Sequence, residues 1–193
     1  MRKLLITAFE PFGGKGYNSS GAMLDAIKED EFTAKRLLPT SYAGAARVLK
    51  TALEEEKPDA VILTGQASGR TEVCLEFCAL NVKNAGIADN DGEIANGESV
   101  VSGAQNALFT TLDLTSFAKQ IKAVGIPCRV SYHAGTFVCN SSYYHLLLSG
   151  VPGVFVHIPD DERSKPDDKA LFLPLESSVT ALETLIQVLR EKC

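Results

Sequence analysis

Cys139 is the residue whose type and setting point most directly to chemistry. It lies in Ser131-Tyr132-His133-Ala134-Gly135-Thr136-Phe137-Val138-Cys139-Asn140, which reads as a strand, a glycine-bearing turn and the first turn of a helix. Unpaired backbone N–H groups and the positive end of the helix dipole favour a thiolate there. The same N–H groups could hold an oxyanion. A buried packing cysteine fits the position equally well, since cysteine is among the most buried residue types. His157 ends the apolar run Gly153-Val154-Phe155-Val156-His157 and can face the same crevice. An imidazole beside a thiol can take its proton and return it to a leaving amine. Only three histidines occur. His145 sits among Tyr143, Tyr144, Leu146 and Leu147 and reads as structural, and His133 is a weaker alternative base. A third group would orient the imidazole. Glu76 is a candidate, because it interrupts the β-like run Val73-Cys74-Leu75-Glu76-Phe77-Cys78-Ala79-Leu80. A carboxylate in an apolar setting is costly unless paired. Alternation leaves open whether it points inward or, from an edge strand, to solvent.

Phe9-Glu10-Pro11-Phe12-Gly13-Gly14-Lys15-Gly16 follows the first apolar run. Gly16 stands where a phosphate-binding loop needs Ser or Thr after its Lys, and the dinucleotide glycine spacing is also missing. Phe9 and Phe12 either present rings to a small apolar ligand or close the core. The five cysteines, Cys74, Cys78, Cys128, Cys139 and Cys193, are odd in number and suggest a reduced compartment rather than a disulfide framework. Cys74 and Cys78, four apart in a β-like run, are expected on one strand face. Cys74, Cys78 and Cys128 read as packing residues and Cys193 as a free terminal thiol. No spacing suits a metal, and no cofactor is called for.

These residues need a scaffold. Strands are expected over 3–8, 34–38, 60–64, 72–82, 128–133 and 153–157, and helices over 20–27, 43–56, 114–123, 138–148 and 177–191. Ser19 or Ser20 would cap the first helix. Residues 87–103 read as a long polar loop, functional or mobile, and 160–174 as a charged one. Strands alternating with helices imply an α/β fold, an α/β/α sandwich with a mostly parallel central sheet and helices on both faces. Ligands then bind beyond the carboxyl ends of the strands, at 8–16, 65–70, 134–140 and 157–161. The 193 residues suit one domain, 1–193. A net charge of −5, from 19 Lys and Arg against 24 Asp and Glu, argues against a basic nucleic-acid binder. No apolar run nears the ~20 residues of a membrane span. Glu10 and Pro11 end the N-terminal apolar stretch before a signal core forms, so a cytoplasmic protein without a membrane partner is expected.

Several segments together resemble the pyroglutamyl peptidase I family of cysteine peptidases. They are Thr7-Ala8-Phe9-Glu10-Pro11-Phe12-Gly13-Gly14 with Asn18 and Ser20, Gly65-Gln66-Ala67-Ser68-Gly69-Arg70, Glu76 with Ala79 and Asn81, Ile87-Ala88-Asp89-Asn90, and Ser131 to Asn140 with His157-Ile158-Pro159. They fall in family order and span most of the chain. The resemblance implies a triad of Glu76, Cys139 and His157. It also implies a lactam pocket lined by Phe9, Phe12 and Phe137, with Thr40 and Ile87 as further lining and Asn18 and Gln66 as hydrogen-bonding groups. The implied substrates are N-terminally pyroglutamylated peptides and the implied assembly is a homotetramer or another homo-oligomer. At one position the chain departs from the family: Phe77 follows Glu76 where the family carries Arg. Arg70 could take over that charge, or Phe77 could simply pack. A hydrolase of another small cyclic amide, or a binding protein with weakened catalysis on the same fold, are the alternatives.

Overall fold

A computed structural model describes residues 1–191, so Cys193 lies outside the described residues. The chain runs β1 (Leu4–Phe9), α1 (Ser19–Ala26), β2 (Thr33–Leu38), α2 (Tyr42–Glu56), β3 (Ala60–Gln66), β4 (Val73–Glu76), β5 (Cys78–Leu80), β6 (Lys83–Asn84), β7 (Asn96–Glu98), β8 (Ala107–Phe109), α3 (Leu114–Ala123), β9 (Cys128–Ser131), α4 (Val138–Leu148), β10 (Gly153–Ile158) and α5 (Leu175–Glu191). Six strands form the central sheet in the order β2-β1-β3-β10-β4-β9. Every neighbouring pair is parallel except β10 with β4.

Continuous apolar runs form the middle strands because both faces of the sheet are covered. Alternation then sorts each strand between two cores. Leu4, Ile6, Ile62, Val73, Leu75, Val154 and Val156 pack with Met23 of α1, Phe117 of α3 and Leu182 of α5. Leu5, Phe9, Val61, Leu63 and Phe155 pack on the opposite face with Leu49 of α2 and Tyr143 of α4. The expected layered α/β architecture is present, with helices on both faces.

Several local expectations are corrected. Asn18, not Ser19 or Ser20, caps α1: its Oδ1 accepts from the Ser20 N–H at 2.9 Å. The β-like stretch 72–82 is not one strand. The chain leaves the central sheet at Phe77, and β5 pairs instead with β8 in a separate ribbon. Cys74 and Cys78 therefore lie on different strands in different sheets, not on one strand face. The loop from 87 contains β7, which pairs with β6. Because β4 opposes β10 and β9 follows the direction of β4, the carboxyl end of β9 points away from those of β1, β3 and β10. Residues 132–137 bridge that gap and deliver the start of α4 to the crevice.

Candidate active site

The parity that builds the second core also gathers the chemistry. On β10, Phe155 faces the α2 and α4 side, so His157 does too. On β4, Val73 and Leu75 face the first core, which turns Glu76 to the same side as His157. β4 lies between β10 and β9, so Glu76 is interior and 0% exposed rather than on an edge. His157 Nδ1 is 2.7 Å from Glu76 Oε1. A carboxylate only accepts, so Nδ1 carries the proton and Nε2 is left as the basic nitrogen. Arg70 Nη1 donates to the same Oε1 at 2.8 Å. Phe77, meanwhile, packs against Phe109 and Tyr132 with ring centroids 5.4 and 6.5 Å away. Both sequence expectations at this position hold: Arg70 supplies the charge and Phe77 packs.

Cys139 is the second residue of α4, directly after Val138, and Phe137 is the N-cap without a side-chain cap. The first-turn N–H groups of α4 thus keep their donor capacity. Gly65 makes room for the sulfur. It pairs in register with His157 across β3 and β10. A Cβ at position 65 would stand 3.0 Å from Cys139 Sγ and 2.9 Å from Phe155 Cζ.

Charge states follow from burial. Burial pushes the Cys139 thiol up to about 12, Glu76 adds to the rise, and Arg70 and the helix backbone oppose it less strongly. The helix terminus pulls toward the thiolate as expected, and burial is the larger, opposing influence. Burial likewise pushes His157 below the usual histidine value, against the opposing pull of Glu76. Burial alone would raise Glu76, but His157, the Ser131 hydroxyl and Arg70 together hold its carboxyl below the usual range. The resting set is a thiol, a neutral imidazole and a carboxylate.

Cys139 and His157 open into a cavity of about 170 Å³, lined also by Phe9, Phe12, Asn18, Thr40, Gln66 and Phe137 and by the turn Ala134-Gly135-Thr136. That is below the size of drug-sized pockets and suits a single small ring. Roomier grooves of about 680 Å³, between α2 and α4, and about 540 Å³, beside α1 and α5, contain none of the triad. Phe12 and Phe137 face each other at 6.2 Å, and Tyr42 meets Phe137 edge-on at 5.6 Å. Thr40 Oγ1 donates to the Glu10 carbonyl at 2.7 Å. Asn18 Nδ2 donates to the same carbonyl at 3.1 Å. Gln66 Oε1 accepts from the Ser19 N–H at 2.8 Å. Ile87 is not in this lining: it lies in the irregular stretch between β6 and β7 and is 51% exposed. His133 is exposed, with Nδ1 accepting from the Gly135 N–H, and stands outside the lining. The expected ligand-facing segments 134–140 and 65–70 take in the 134–136 wall and Gly65, but sequence reasoning assigned neither a role of its own. The glycine after an apolar run was the available signal for the latter.

A family model described as pyroglutamyl peptidase matches residues 2–192. A pyrrolidone-carboxylate peptidase of Thermococcus onnurineus is 37% identical over 194 residues, covering 96% of this chain and 97% of its own length. One from Erwinia tasmaniensis is 38% identical over 198 residues, covering 97% and 92%. Among solved structures, pyroglutamyl peptidase I of Bacillus amyloliquefaciens superposes with a TM-score of 0.89 at 34% identity, covering 95% of this chain and 94% of that one. Pyrrolidone carboxyl peptidase of Thermococcus litoralis superposes with a TM-score of 0.92 at 32% identity, covering 97% and 93%.

Proposed function

The chain belongs to the pyroglutamyl peptidase family, and on that premise we propose that it removes N-terminal pyroglutamyl residues from peptides with Cys139 as nucleophile, His157 as base and acid, and Glu76 as the group that orients His157. The single observation carrying the assignment is the 2.7 Å contact of His157 Nδ1 with buried Glu76, on a histidine that shares a small aromatic-lined cavity with Cys139.

In this reading the lactam ring sits among Phe9, Phe12 and Phe137, with Thr40 beside it. Asn18 and Gln66 face its N–H and C=O. Asn18 has one N–H beyond the one given to Glu10, for the ring C=O, and Gln66 Oε1 has a lone pair beyond the Ser19 N–H, for the ring N–H. His157 Nε2 takes the thiol proton as Cys139 Sγ attacks the carbonyl carbon joining the ring to the next residue. The oxyanion is met by first-turn N–H groups of α4, that of Cys139 included. The C–N bond breaks as the imidazolium gives its proton to the departing amine. Water, deprotonated by His157, then hydrolyses the thioester and restores the thiol. An ordinary N-terminal residue would bring an ammonium into the aromatic cavity, and burying that charge unpaired costs several kcal/mol. A neutral lactam has no such penalty, which accounts for its selection. Ile87, outside the cavity, is assigned at most a contact with the substrate beyond the ring.

Hydrolysis of a chromogenic pyroglutamyl amide, with and without a thiol-alkylating reagent, tests this reading. Turnover that disappears on alkylation and in Cys139→Ser supports it. Turnover that survives both ends the nucleophile assignment. The chain is further proposed to work as one catalytic domain, as a homotetramer, and in the cytoplasm. The first two rest on the family resemblance, and light scattering of the purified protein checks the assembly. The last is supported by four free cysteines among the described residues.

A further inference from the structure

Asp160 is a buried carboxylate that no step of the reaction uses. It follows His157-Ile158-Pro159 just beyond the end of β10 and is 1% exposed. A charge so placed is unfavourable unless it is fully hydrogen-bonded, and among the described residues every donor its carboxylate meets comes from residues 66–69. Oδ1 accepts from Gln66 Nε2 at 2.5 Å and from Ser68 Oγ at 2.9 Å, and Oδ2 accepts from the Gly69 N–H at 3.4 Å. Gln66 is the pocket-lining member of that set.

The two ends of the Gln66 amide are thereby forced. A carboxylate can only accept and a backbone N–H can only donate. The NH2 end must face Asp160, and the oxygen must face the Ser19 N–H, 2.8 Å away. Turning the amide over would set oxygen against carboxylate and NH2 against N–H. Without Asp160 only the Ser19 contact would resist that turn.

We propose that Asp160 is a positioning residue for specificity, whose carboxylate fixes the orientation of the Gln66 amide and so sets the donor and acceptor pattern offered to the ring of the substrate. This rests on the reading of Gln66 as a group that meets the lactam. Asp160 itself touches no substrate.

The test uses two ring-sized competitive inhibitors of pyroglutamyl amide hydrolysis. One is 2-pyrrolidone, a lactam with N–H and C=O. The other is cyclopentanone, which lacks the N–H. Their ratio of inhibition constants reads lactam recognition and does not depend on the fraction of enzyme that is folded. Wild-type protein is expected to favour 2-pyrrolidone. Gln66→Ala and Asp160→Ala should each reduce that preference about two- to tenfold, the range of one net hydrogen bond, and raise KM by far more than they lower kcat. Because Asp160 acts through Gln66, the double variant should match Gln66→Ala alone. Asp160→Asn keeps the volume and an acceptor but can also donate, so it should give an intermediate loss. It serves as the readout if Asp160→Ala does not fold. An unchanged preference in Gln66→Ala refutes the reading of Gln66, and the proposal with it. A changed preference in Gln66→Ala with an unchanged one in the Asp160 variants, or losses that multiply in the double variant, refutes the positioning role alone.

Discussion

The cavity has two walls of different construction. One is cut from the central sheet and α4: Gly65 and Gln66 at the end of β3, His157 near the end of β10, Cys139 in the first turn of α4, and Glu76 behind them on β4. Strand register places Gly65, Gln66, His157 and Glu76, and packing of α4 on the second core places Cys139. The other wall is loop. Phe12 rides on residues 10–17, where Gly13 and Gly14 hold φ of +64° and +74°, a region other residues adopt only at a cost. Phe137 closes the turn after Gly135, and Thr40 follows the Pro39 that ends β2. The two constructions divide the labour. Groups that exchange protons sit where sub-ångström placement is enforced, and rings that only need to enclose a lactam sit on connections that can adjust.

If the sheet-built wall carries the chemistry, damage there should fall on kcat and be severe. Cys139→Ala should lower kcat/KM by at least about 10⁴-fold with no change in the unfolding midpoint beyond about 1–2 °C, read by steady-state kinetics and circular dichroism. Glu76→Gln keeps the shape but leaves Nδ1 without its carboxylate, and a fall in kcat of about 10²–10⁴-fold is expected. A loss under threefold would remove Glu76 from the triad. Gly65→Ala forces a methyl against Cys139 Sγ and Phe155, and a fall of about 10–100-fold in kcat is expected with a stability loss of about 1–3 kcal/mol. Trimming Phe155 to Leu in that background tests which contact matters, since kcat recovers only if the Phe155 contact was displacing the nucleophile. On the loop-built wall, Phe12→Ala should raise KM about tenfold and leave kcat within about threefold. A kcat-dominated loss would erase the contrast between the walls.

The smallest expected effect is in the pH profile. Folding lowers the affinity of His157 for protons, so the neutral base forms at a pH below the ordinary value of about 6.5. The acid limb of kcat/KM should therefore have its midpoint below about 6.5, and the thiol, pushed up to about 12, should add no limb near neutrality. Stability moves in the same sense. His157 and Glu76 both have folded values below their unfolded ones. The unfolded chain thus binds more protons, and stability is lost as pH falls, first below about 6.5 for His157 and then below about 4.3 for Glu76. Denaturant unfolding at a series of pH values measures it, and a midpoint that rises on acidification would contradict the assignment.

Much of this site was legible in the residues because it depends on local order. A strand, a glycine turn and a helix start place Cys139, and an apolar run ending in histidine places His157. The 10-residue α3 and 11-residue α4 match their expected bounds, since their stop signals are local. What escaped depends on partners far along the chain. Glu76 could not be assigned a face until β4 was known to lie between β10 and β9. Cys74 and Cys78 looked like neighbours on one strand because the exit at Phe77 leaves no mark in an apolar run. β6, β7 and β8 are two or three residues long, too short for any periodicity. The charge balance at Cys139 was half legible: the helix terminus is visible in sequence, whereas the burial that opposes it is not.

The order β2-β1-β3-β10-β4-β9 has a consequence in time as well as in space. The last strand of the chain fills the middle of the sheet, and the contact between His157 and Glu76 spans 81 positions of sequence. Closing so long a loop is slow, and until β10 inserts, the earlier strands form two incomplete halves. Peptidase activity should then return during refolding only with the last kinetic phase, after most helical signal has recovered. A chain still emerging from the ribosome, with β10 not yet made, would be inert toward any peptide it met.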